Sequence, residues 1–125
     1  MIPKFRAWLK NDKEMIDVDE IHWVNGELDI IGDYITFVRK ADEIELMQST
    51  GLKDKNGKEI FEGDIVDYKG RKAVVKWHGS YASFIYRFVD ELHKRNEEWK
   101  PLYLSYYHFE IIGNIYENPE LLEVE

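Results

Sequence analysis

Residues able to do chemistry are densest in Tyr68-Lys69-Gly70-Arg71-Lys72-Ala73-Val74-Val75-Lys76-Trp77. Four basic residues sit on or beside one predicted hairpin, with a tyrosine and a tryptophan among them. Basic side chains grip phosphates and rings stack on bases. Tyr68, Lys69, Arg71, Lys72, Lys76 and Trp77 therefore form a candidate nucleic-acid patch. The same pattern also describes a solvated hairpin whose charges discourage edge-to-edge aggregation.

Other chemistries lack their residues. Gly51-Leu52-Lys53-Asp54-Lys55-Asn56-Gly57-Lys58-Glu59 is one residue too long for a phosphate-binding P-loop. Glu59 also stands where the magnesium-holding hydroxyl belongs. A calcium loop needs glycine at its sixth position, and Gly57 is fourth from Asp54. His22, His78, His93 and His108 show no metal-ligand spacing. A zinc site from His78, His108 and a carboxylate requires their strands to be neighbours. Ser49, Ser80, Ser83 and Ser105 lack a nucleophile elbow. Asp64 and Asp67 fall on opposite faces of a strand, which argues against their acting as an acid–base pair. The expectation is a protein that is not an enzyme, with no catalytic, metal or cofactor residues and no cofactor.

Composition narrows the partners. The 125 residues include no cysteine, which excludes disulfides, thiolate metal sites and cysteine nucleophiles. The net charge of −8 argues against tight nonspecific nucleic-acid binding. That charge is uneven: residues 1–51 carry −5, residues 52–100 carry +2, and residues 101–125 carry −5. The basic hairpin lies in the middle stretch. No apolar run suits a membrane span, and the first residues lack a signal-peptide stretch, so a cytoplasmic protein with no membrane partner is expected. Six Phe, eight Tyr and four Trp favour pleated, half-buried surfaces.

The elements that must position these residues read mainly as strands. Phe5, Ala7 and Leu9 alternate inward along the first strand. Asn25-Gly26 between apolar runs predicts a hairpin tip, because a type I′ turn needs positive φ at both positions. Residues 34–38 and 44–48 read as further strands. Residues 64–68, 72–78 and 80–88 read as three successive strands joined by hairpin-length links. Residues 89–99 read as either a short helix or a charged excursion, with a thin stripe of Val89, Leu92 and Trp99. Residues 103–107 and 109–116 read as closing strands, with Gly113-Asn114 as a bend or bulge. Asn118-Pro119 predicts the cap and first turn of a short terminal helix docked by Leu121 and Leu122.

Residues 46–66, Leu-Met-Gln-Ser-Thr-Gly-Leu-Lys-Asp-Lys-Asn-Gly-Lys-Glu-Ile-Phe-Glu-Gly-Asp-Ile-Val, resemble the signature of the YopX family. Residues 111–122, from Ile111-Ile112-Gly113-Asn114 to Leu121-Leu122, resemble that family's ending. Lys4-Phe5-Arg6-Ala7-Trp8, followed by Met15, resembles its start. Ser49 stands where the family usually has an aromatic. The resemblance implies a small phage or prophage protein of the host cytoplasm, mainly β, with a barrel-like C-terminal part. It carries over no site residue. The expected fold is therefore α+β but mainly β, one domain of 1–125. It has N-terminal β-hairpins in about 1–50 and a small SH3-like barrel in about 61–117. The expected function is a non-enzymatic module that binds a host or phage protein or associates with itself. A nucleic-acid-binding module using residues 68–77 is the alternative.

Overall fold

A computed structural model describes residues 4–32, 38–92 and 99–123. The chain is mainly β and divides into two compact units, residues 1–48 and 49–125.

The first unit begins with β1 (Phe5–Leu9) and β2 (Glu14–Val18). It continues through β3 (Glu20–Val24), β4 (Glu27–Gly32) and β5 (Val38–Lys40). A single 3-10 turn, Ala41–Glu43, leads into β6 (Ile44–Lys53). β1 pairs antiparallel with β2 and with the first half of β6, placing Ala7 opposite both Ile16 and Leu46. β3, β4 and β5 form a separate antiparallel sheet. Asn25 and Gly26 join β3 to β4 with φ of 52° and 80°. Ala7, Leu9, Ile31 and Ile44 make the core, with Ile16, Ile21 and Leu28 packed on it. Most of the strand expected at 34–38 lies outside the described residues.

The second unit contains the later half of β6, β7 (Glu59–Phe61), β8 (Asp64–Tyr68) and β9 (Arg71–His78). It also holds β10 (Ser83–Phe88), β11 (Lys100–Pro101) and β12 (Glu110–Asn114). Five of these form an antiparallel sheet in the order β11-β10-β9-β8-β12, curled into a half-barrel. Side chains alternate between faces along each strand. One face buries Val66, Ala73, Val75, Tyr86 and Phe88 against Ile60, Leu102 and Phe109. The other buries Ile65 and Val74 with Val89, and Leu121 and Leu122 pack on them. Each large apolar side chain so buried contributes about 1.5–3 kcal/mol.

Backbone hydrogen bonds to two short polar segments hold this sheet in place. Asp54 is buried, and its Oδ1 accepts the N–H groups of Asn56 and Lys58, both at 2.9 Å. Its Oδ2 accepts the Ile111 N–H at 3.0 Å, and the Lys55 N–H donates to the Phe109 carbonyl. Further along, the Ile115 N–H donates to the Gly63 carbonyl. Segments 46–66 and 111–122 are thus stitched directly to each other.

Two expectations change, and a third lies mostly outside the described residues. Residues 103–107 are not a strand: Leu102–Leu104 and Tyr106–His108 are successive 3-10 turns. Tyrosine favours strands only where a neighbouring strand receives it. Here Leu102 and Phe109 point inward while Tyr103, Leu104 and Tyr107 face solvent. Within 89–99, Val89–Glu91 is one 3-10 turn, and residues 93–98 lie outside the described set. Pro119–Leu122 is a 3-10 turn with Pro119 in its first turn, but Asn118 does not cap it with its side chain. Its Oδ1 turns back to accept the Asn114 N–H instead.

Candidate binding site

The hairpin of β8 and β9 turns through Lys69 and Gly70, with φ of 51° and 86°. Tyr68 pairs directly with Arg71, and Val66 with Ala73. Tyr68, Arg71 and Trp77 therefore share the face of Ala73 and Val75. Lys72 and Lys76 alternate to the face of Val74. The six residues of the sequence-derived patch do not form one surface. The physical reason lies in the spacing: Arg71-Lys72 and Lys76-Trp77 are sequence neighbours on one strand.

Arg71 is engaged internally. Its Nε and Nη2 donate to Asp90 at 2.9 and 2.8 Å, and Nη2 also donates to Glu91 at 2.9 Å. Its guanidinium lies 3.6 Å over the Phe88 ring. The Asp90 hydrogen bonds, seconded by Glu91, raise its pKa further, against an opposing effect of burial. Arg71 is thus a clamp between β9 and the turn after β10.

Beside Arg71 a cavity of about 490 Å³ opens on the same sheet face. Buried Tyr86, Phe88 and Phe109 line it together with half-buried Tyr68. Leu104, Ser105 and His108 come from the two 3-10 turns. The Tyr86 hydroxyl donates to Ser105 Oγ at 3.1 Å. Lys69 and Lys100 also line it, and among the described residues no carboxylate does. Lys69 Nζ lies 5.4 Å from the Tyr68 ring centre, and Lys100 Nζ lies 5.8 Å from that of Phe88. Pairing of β10 with β11 places Lys100 opposite Tyr86, while pairing of β8 with β12 brings in the turn that carries His108. Sequence reasoning missed Lys100, Leu104 and His108 because only these long-range pairings bring them together.

Rings continue outward from this cavity. His108 packs on Tyr68 and on Tyr107, and Tyr107 packs on Tyr106. A separate group joins His78 to Tyr81 and Trp99. His78 and His108 thus belong to different ring groups, and among the described residues no set of three potential ligands gathers for a metal. Trp77 is exposed and packs edge-on against Phe84. Trp23 is also exposed, whereas Trp8 and Trp99 are half-buried. The 51–59 loop is built around Asp54, whose carboxylate oxygens are taken by backbone N–H groups. Among the described residues, no helix is long and apolar enough to cross a membrane.

A mainly β protein with a curled half-barrel sheet and a cationic, ring-lined cavity is the class that this geometry defines. The chain belongs to the YopX protein family, whose profile matches residues 4–123. It is similar to the crystal structure of protein EF1440 from Enterococcus faecalis, with 32% identity and a TM-score of 0.70. That match covers 98% of this chain and 99% of the other. No curated protein matches it.

Proposed function

We propose that this protein is a non-enzymatic phage or prophage accessory module that binds protein in the host cytoplasm, a second copy of itself being the first partner to test. Its 61–117 region would serve as an SH3-like scaffold. One observation carries the reading. Trp77, Tyr81, Tyr103, Leu104 and Tyr107 are each 45–65% exposed within the second unit. Large rings are enriched at interface cores. Burying such a side chain fully yields about 1.5–3 kcal/mol. Several together offset much of the roughly 4–15 kcal/mol that association costs.

Light scattering across a concentration series tests self-association, and a pull-down from host lysate tests other partners. Tyr81→Ser with Tyr103→Ser is expected to shift the association midpoint at least tenfold without lowering Tm. A strict monomer that retains nothing from lysate overturns the reading. The nucleic-acid reading of residues 68–77 loses support as first drawn, because Lys72 and Lys76 leave the face that carries Tyr68 and Trp77.

A further inference from the structure

We infer that the cavity between Tyr68, Lys69, Phe88, Lys100 and His108 binds a nucleotide unit, with its base against the rings and its phosphate between the two lysines. The inference does not rest on the protein-binding reading, since it uses neither Tyr81 nor Tyr103.

Three observations converge. First, among the described residues the lining holds Lys69, Arg71 and Lys100 and no carboxylate, in a protein of net charge −8. Arg71 is more than offset by Asp90 and Glu91, a cluster of net −1 beside the cavity, but among the described residues Lys69 and Lys100 have no carboxylate within 4 Å. Their ammonium groups lie over rings instead. Among the described residues, an anion entering here meets two lysines that are not paired with a carboxylate. Second, half-buried Tyr68 and exposed His108 present ring surface above buried Tyr86, Phe88 and Phe109, and a volume of about 490 Å³ falls within the range of small-ligand sites. A ligand that is both flat and anionic satisfies both halves of the lining. A nucleotide has that composition, and stacking of its base on rings tolerates any sequence.

Third, Lys69 occupies a strained backbone position. Its φ of 51° is left-handed, at the turn position where glycine or asparagine is the comfortable choice. Lys13, Asn25 and Ala82 share this backbone region, and of the four it is Lys69 that lines the cavity. A lysine here projects a cation at the cavity mouth at a cost in hairpin stability.

The test uses the full chain at ~50 mM salt, titrated with 5′-mononucleotides and with short single-stranded DNA. Saturable binding of either supports the inference, and comparison of the two arms shows whether the nucleotide comes free or within a strand. Lys69→Ala with Lys100→Ala is expected to weaken binding at least tenfold. In the single-stranded DNA arm it should also reduce the slope of log affinity against log salt by about 0.7, the share of one phosphate. Lys72→Ala with Lys76→Ala makes the same charge change on the opposite face and is expected to leave affinity within twofold. Lys69→Asn is expected to raise Tm while weakening binding severalfold, a pair of opposite signs that a purely structural lysine would not give. No binding in either arm overturns the inference. So does equal weakening by the two double variants. Loss of self-association in Tyr81→Ser/Tyr103→Ser with nucleotide binding intact would separate the two readings.

Discussion

A carboxylate removed from water must be hydrogen-bonded or it neutralises, and Asp54 shows the balance. Burial pushes its pKa up, but the N–H groups of Ile111, Lys58 and Asn56 outweigh this, helped by the Lys58 charge. The carboxyl ends below its usual range. Its folded pKa therefore lies below its unfolded value of about 3.9. The stabilisation is complete above that value and is lost as pH falls through the folded pKa. Asp54→Ala is expected to cost about 2–4 kcal/mol near pH 7, since three backbone donors lose a charged acceptor. Chemical denaturation at several pH values checks both size and sign. The gap between wild type and variant should be constant above about pH 5 and narrow below about pH 4. A gap that widens on acidification contradicts the assignment. The composition of the 51–59 loop suggested a polar turn, and its Gly-Lys pattern invited a phosphate reading that the spacing refused. What the sequence could not show was that Asp54 reaches 57 residues ahead to Ile111.

At the scale of elements, period and pairing explain what could and could not be read. The mainly β character was legible from alternating apolar residues and abundant aromatics. The division of the basic patch was legible too, because neighbours on a strand face opposite ways. The 102–108 turns were harder to read, since their tyrosines have strand-like preferences and only the lack of a partner strand among the described residues decides against them. β12 supplies a sharper case. A bulge falls between Ile111 and Gly113, and a Cβ on Gly113 would stand 2.5 Å from Asn118 Oδ1. That oxygen accepts the Asn114 N–H at 3.2 Å, so it cannot move away without losing the bond. Gly113→Ala is expected to destabilise by about 1–3 kcal/mol. An Asn118→Ala background removes the Oδ1 and Cγ contacts at 2.5 and 2.8 Å and leaves the residue 118 Cβ at 3.0 Å, so the same change should cost clearly less there. A double-mutant cycle measures the coupling. Additive costs would show that the close approach to Asn118 is not what requires glycine.

At the scale of the whole molecule, charge sets the two proposed interactions against each other. The chain carries −8, and only residues 52–100 are positive on balance. Two copies meeting through exposed rings must bring like charges together, so added salt should strengthen self-association by screening their repulsion. A strand entering between Lys69 and Lys100 displaces counterions, so added salt should weaken that binding. Raising salt from about 50 to 500 mM is thus expected to move the two in opposite directions. Sedimentation of the protein alone and titration with labelled single-stranded DNA measure the two trends on one preparation. Self-association that weakens with salt would mean that its contacts are ionic, and would remove Tyr81 and Tyr103 from the argument. Oligonucleotide binding indifferent to salt would mean that phosphate contributes nothing, leaving the lysines of the cavity without their proposed ligand.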